Sequence, residues 1–202
     1  LGRINAGESY LIFGKNTTLF TNIDLKNLTL TQGIKILGAD INDNSGNSVS
    51  AAGDVNKDGY DDIIIGASGA PKGTFKGETY IIFGKNGTLF TNIDLKNLTL
   101  TQGIKIVGAH INDTSGSSVS SAGDVNNDGY DDMIIGAPSA TSLKRYEAGE
   151  GYLIFGDKTN IQPTPTQTPT LAPTLTPTPA STSATDKLNW KYVIIEASIF
   201  GT

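Results

Sequence analysis

The chain has 202 residues, with 20 acidic against 15 basic side chains for a net charge of −5, and it contains no cysteine. No Lys/Arg cluster supplies the electrostatic footprint of a nucleic-acid binder, and no apolar stretch approaches the length that crosses a membrane as a helix. Without cysteine there is no disulfide framework, thiolate zinc site or Cys nucleophile, so a secreted domain of this size needs another staple, of which a bound metal ion is one kind.

The chain begins at Leu1 with no basic segment leading into an apolar one, so it reads as a mature form or a fragment. From Gly14 onward the dominant fact is repetition. The segment Gly14 to Ala39 returns as Gly84 to Ala109, altered only at Thr17/Gly87 and Leu37/Val107. Ser48 to Ala67 returns as Ser118 to Ala137, and Tyr10-Leu-Ile-Phe-Gly14 returns at Tyr80 and again at Tyr152. Surface-type positions are copied as faithfully as apolar ones, so identity between the copies says little about any single residue.

Each unit reads as short strands, because β-branched and aromatic runs are bounded by Gly, Asp and Asn and no window keeps a helical period. Four strands per unit fit: Ser48–Ala52, Asp62–Ala67, Gly77–Gly84 and Gly103–Gly108. The long connection from Lys85 to Gln102 is expected to hold a short extra strand or turn. The fold class is therefore all-β, with consecutive four-stranded antiparallel β-propeller blades, about two and a half of them, followed by a disordered Pro/Thr-rich tail. Residues 1–38 read as the C-terminal part of a first blade, 39–108 as a complete blade, and 109–158 as a further blade that is incomplete or nearly so. Residues 159–185 hold six of the eight prolines and read as an extended linker, and residues 186–202 form a short unassigned segment.

Two loops carry the chemistry. Asp54-Val-Asn56-Lys-Asp58-Gly59-Tyr60-Asp61-Asp62 returns as Asp124-Val-Asn126-Asn-Asp128-Gly129-Tyr130-Asp131-Asp132. Side-chain oxygens fall at positions one, three, five and nine, Gly occupies six where the chain must turn, and position seven offers its carbonyl. Calcium takes six to eight hard oxygen ligands at about 2.3–2.6 Å and tolerates irregular geometry, which this spacing can supply; magnesium is more demanding. The expectation is two Ca2+ sites, one held by Asp54, Asn56, Asp58, Tyr60 and Asp62 and one by Asp124, Asn126, Asp128, Tyr130 and Asp132. An Asx-rich hairpin turn that binds nothing is the competing reading. Asp61 and Asp131 are expected to point outward. The same opening occurs in EF-hands and dockerins, but those place an acid at position twelve and run into a helix. Here position twelve is Ile65 or Ile135, inside a β-branched run.

Phe83-Gly84, the Asp-rich loop, and Gly136-Ala-Pro138 together resemble the FG-GAP repeat of integrin alpha-subunit propellers; the first copy departs from it at Ser68. The resemblance covers about residues 5–158. It implies calcium-organised blades in a secreted or cell-surface protein, non-enzymatic and adhesive, displaying a surface to an unknown protein or glycan ligand. FG-GAP propellers also accompany hydrolase domains such as glycosylphosphatidylinositol-specific phospholipase D, so an accessory domain is the alternative, and a structural spacer the third. Further blades would come from the rest of the chain or another copy, with no nucleic acid and no direct membrane insertion.

Other signals are weaker. Asp113-Thr-Ser115-Gly-Ser117 has the spacing of a metal-dependent adhesion site but lies in a Gly/Ser loop, which reads as a surface loop. Sequons occur at Asn16, Asn27, Asn86, Asn97 and Asn112. His110 is the only histidine, its repeat partner is Asp40, and no nucleophile elbow accompanies it. Glu8, Glu78 and Glu150 each precede a Tyr-apolar strand and read as structural. No catalytic residue is proposed.

Overall fold

The computed structural model describes residues 2–16, 22–86, 90–141 and 148–157; the expected tail, linker and C-terminal segment lie outside the described residues. The described residues form strands and short 3-10 turns, with no α-helix. The strands are β1 (Glu8–Ile12), β2 (Gly33–Leu37), β3 (Ser45–Gly53), β4 (Asp62–Ala67), β5 (Glu78–Ile82), β6 (Ile93–Asp94), β7 (Gly103–Val107), β8 (Ser118–Gly123), β9 (Asp132–Ala137) and β10 (Glu150–Ile154).

They make three successive sheets, in the orders β1-β2-β6, β3-β4-β5-β7 and β8-β9-β10. The middle sheet is antiparallel throughout, with Ile64 opposite Ile81 and Ile81 opposite Ile104. Its first strand is longer than the expected Ser48–Ala52, starting at Ser45, and register shifts interrupt it at both ends. An all-β architecture of small antiparallel sheets in series is the arrangement of propeller blades.

The middle sheet buries both faces, which explains runs such as Ile63-Ile-Ile65 that do not alternate with polar residues. Ile65, Tyr80 and Ile82 face one way and join Ile34 and Ile36 of the first sheet. Ile64 and Ile81 face the other way and join Met133 and Ile135 of the third. The third sheet covers only one side. Ile134 and Leu153, on its far face, stay exposed where their counterparts Ile64 and Ile81 are covered.

The Lys85–Gln102 connection departs from a purely antiparallel plan. β6 pairs in parallel with β2 of the sheet before it, Ile36 opposite Ile93, and not with its own sheet. A 3-10 turn, Leu95–Asn97, follows. Ile93 and Leu95 drop into the core between the first two sheets, and Phe90 meets Phe13 at 5.3 Å between ring centroids. Polar contacts fix the strap from outside. Arg3 forks Asp94 at 2.7 and 2.6 Å, Lys96 meets Asp40 at 2.9 Å, and the Lys35 N–H donates to Asn92 at 2.9 Å. The guanidinium holds the Asp94 carboxyl below the usual carboxylate range.

Each strand that begins with Glu carries one further device. The Tyr10 and Tyr152 hydroxyls donate to Glu8 and Glu150 at 2.6 and 2.5 Å, and Tyr80 donates to Glu78. Lys35 and Lys105 complete the first and middle copies. Glu8 and Glu78 thereby tie a strand edge to its neighbour, whereas the Glu150–Tyr152 bond stays within one strand. The Asp113-Thr-Ser115-Gly-Ser117 segment is less exposed than a surface loop: Asp113 and Ser115 are buried, and Asp113 accepts the His110 N–H at 2.8 Å as a turn cap. The described sequon asparagines are exposed.

Candidate metal centre

Both Asp-rich loops join the first two strands of a sheet, β3 to β4 and β8 to β9. Their conformation follows from the side chains at positions one, three and five, which hydrogen-bond forward to the backbone in the manner of Asx turns. Asp54 accepts from the Asp58 N–H at 3.0 Å and the Gly59 N–H at 2.9 Å. Asn56 accepts from the Asp58 N–H at 2.9 Å, and Asp58 from the Tyr60 N–H at 3.0 Å. The second loop repeats the set through Asp124, Asn126 and Asp128, at distances from 2.8 to 3.0 Å. Position six, Gly59 or Gly129, has φ of 92° or 89°, where a side chain is strained.

Position nine has a second task. Asp62 and Asp132 begin their strands and are wholly buried. One oxygen of Asp62 accepts the Val55 N–H at 3.1 Å and the other the Gly84 N–H at 2.8 Å. Asp132 binds Val125 and Gly156 in the same way, at 2.9 and 3.0 Å. The Phe-Gly pair at the end of the third strand thereby acquires a physical reason. Phe83 enters the core, while the Gly84 N–H anchors the Asp62 carboxylate and its Cα lies too close to Asp61 for a side chain. Sequence reasoning placed both motifs and missed the bond between them.

The electrostatics leave room for a cation. Among the described residues no ion pair involves Asp54, Asp58, Asp62, Asp124, Asp128 or Asp132. Burial pushes the Asp62 carboxyl up to about 6 against the pull of its two backbone donors, with Asp58 and Asp54 adding to the rise. An all-oxygen donor set of this kind is chemically suited to a hard divalent ion. Among the described residues no three His, Cys, Asp or Glu side chains converge as a ready-made centre. The loops instead mix carboxylates with an amide and a carbonyl and turn carboxylate oxygens toward backbone N–H groups.

One acid sits otherwise than expected. Asp131 does not point outward: its carboxylate accepts the Asp54 N–H of the first loop at 2.9 Å.

The structural share of position nine can be measured apart from any metal. Asp62→Asn keeps one acceptor and sets an amide NH2 against a buried N–H, so it should cost about 2 kcal/mol. Urea unfolding in excess EGTA reads this directly, and an unchanged midpoint there would remove the anchoring role.

The family model for the FG-GAP repeat matches residues 45–82 and 115–154. The chain is 36% identical over 127 residues to integrin alpha pat-2 of Caenorhabditis elegans, covering 60% of this chain and 10% of that protein. It is 28% identical over 123 residues to integrin alpha-8 of Gallus gallus, covering 58% and 10%. It is 37% identical over 107 residues to phosphatidylinositol-glycan-specific phospholipase D of Bos taurus, covering 52% and 12%. The chain thus spans about a tenth of the length of these curated relatives.

Proposed function

We propose that the two FG-GAP repeats carried by this integrin alpha-like chain form a calcium-stabilised, non-enzymatic propeller module of a secreted or cell-surface protein. The observation that carries the reading is the duplicated loop, in which three carboxylates, an amide and a turn glycine share one hydrogen-bond scaffold and, among the described residues, no cationic side chain forms an ion pair with them. Asp54, Asn56, Asp58, Asp62 and the Tyr60 carbonyl would hold one Ca2+, and Asp124, Asn126, Asp128, Asp132 and the Tyr130 carbonyl the other. Bound calcium supplies countercharge and locks the turn between the first two strands. The module then acts by display, holding inter-strand loops rigid for a protein or glycan ligand.

On this reading residues 39–108 and 109–158 are blades and 1–38 the end of an earlier one, a division supported by the three sheets in series, although β6 of the 39–108 segment pairs with the sheet before it. Further blades, from the rest of the protein or another copy, suit the exposed Ile134 and Leu153 and an open cavity of about 400 Å3 beside β1. Among the described residues no helix is long and apolar enough to cross a membrane.

Calcium at about a hundred times its dissociation constant should add about 2.7 kcal/mol per site. Thermal unfolding with calcium and with EGTA tests this: an upward shift of several degrees is expected, and coincident midpoints would sink it. A second reading, an accessory propeller beside an extracellular hydrolase, draws on the 37% identity to the phospholipase D. A zinc-ligand-rich catalytic region in the full gene product would favour it over an adhesive role.

A further inference from the structure

The two loops touch, through a residue that the ligand pattern does not use. Asp131 stands at position eight of the second loop, between Tyr130 and Asp132. Its carboxylate accepts the Asp54 N–H at 2.9 Å, and its own N–H donates to the Asp54 carbonyl at 3.3 Å. The first residue of one loop is therefore gripped on both its backbone groups by one residue of the next. Gly53 belongs to the fit, since a Cβ there would lie 2.2 Å from the Asp131 carboxylate. Contact also runs the other way, with the Lys57 ammonium of the first loop 5.0 Å from the centroid of the Tyr130 ring.

We infer that Asp131 is a positioning residue that couples the two loops, so that filling the second with calcium raises the affinity of the first. The inference rests on the calcium reading above. Tyr130 and Asp132 flank Asp131, so an ion that fixes that carbonyl and that carboxylate fixes the backbone on both sides of it. Asp131 is then held against Asp54, which supplies the opening ligand of the first loop. When the second loop is unfilled, Asp131 is held less firmly, so the first ion supplies more of the ordering of Asp54 and binds more weakly. Coupling free energies are reciprocal, so the first ion strengthens the second by the same factor.

The test is calcium titration of the intact chain by two-dimensional NMR, following the Gly59 and Gly129 amides separately. Asp128→Ala, which disables the second loop, should weaken calcium binding at Gly59 by about fivefold or more, within the usual range of site–site coupling. Asp131→Ala should give the same loss with the second loop's ligands intact, and adding Asp128→Ala to it should cost nothing further. Asp131→Asn keeps an acceptor oxygen for the Asp54 N–H and should retain the wild-type affinity. A residue that only stabilised the fold would not produce this non-additivity or this rescue. Equal affinities at Gly59 in the wild type and Asp128→Ala, with both wild-type loops filling, overturn the coupling and leave the calcium reading standing. The absence of any saturable shift in the wild type overturns the calcium reading, and the coupling with it.

Discussion

Leu95→Ala is expected to cost about 3 kcal/mol of folding stability, and Leu25→Ala less than about 0.5 kcal/mol. Both leucines lie in the same stretch, Thr21 to Ile36 being identical to Thr91 to Ile106. Their surroundings differ. Leu95 is 4% exposed, in the core with Ile34, Ile36 and Tyr80, whereas Leu25 is 42% exposed. Truncating the buried side chain removes apolar contacts and leaves a cavity between two sheets; truncating the exposed one removes neither. Ile93→Ala should behave as Leu95→Ala does, since Ile93 is buried in the same cluster while pairing with Ile36. Denaturant unfolding of the single variants reads the difference. Equal costs for Leu25 and Leu95 would mean that the strap does not bind the first two sheets together.

That contrast marks the limit of what residue patterns reveal here. The strands were legible, because β-branched runs such as Asp62-Ile-Ile-Ile-Gly66 are bounded by turn-forming residues, and their lack of alternation fits a sheet covered on both faces. The turn conformation of the loops was legible too, since Asp, Asn and Asp at positions one, three and five around a glycine favour side-chain bonds to the following backbone N–H groups. The destination of β6 was not. A strand of two residues carries almost no pattern, and an identical copy exists that is not buried in the same way. Its partner is chosen by Arg3 and Asp40, distant in sequence and dissimilar in the two copies: Asp40 becomes His110, and Arg3 aligns with Gly73, while Lys35, which returns as Lys105, contributes only its backbone N–H. Local sequence encodes a strap; what it is fastened to depends on which sheet stands before it.

The same reasoning explains why Asp131 was misplaced. Alternation along a strand puts position eight on the face opposite position nine, and a chain considered alone has only solvent there. A repeat packed against its neighbour has another loop there instead. Roles at the joints between units, such as Asp131 on Asp54 or Ser48 on the Gly116 carbonyl, belong to the pair of units and cannot be read from either. Roles inside one unit, such as Asp62 on Gly84, recur faithfully in the second.

Joints also set the second large effect. Gly66→Ala should cost about 3 kcal/mol or more, whereas Gly136→Ala, at the same place in the next Gly-Ala motif, should cost under about 1 kcal/mol. A Cβ on Gly66 would fall 1.9 Å from the Gly116 carbonyl oxygen, a backbone atom of the adjoining unit. That backbone is itself fixed by the Ser48 hydroxyl and by the Gly116 N–H donating to the Gly136 carbonyl. It can move only if the two sheets separate. A Cβ on Gly136 meets the Ser118 hydroxyl at 2.3 Å, a side-chain end that can rotate away. Neither glycine has a positive φ, so backbone strain does not confuse the comparison. Thermal unfolding of the two variants should separate by several degrees, at about 3 °C per kcal/mol for a folded region of this size. If the two lose stability equally, the glycine serves the strand and not the joint. If Gly66→Ala alone is severe, the motif's glycine is needed where one unit meets the next, and its tolerance elsewhere reports whether another backbone presses against it.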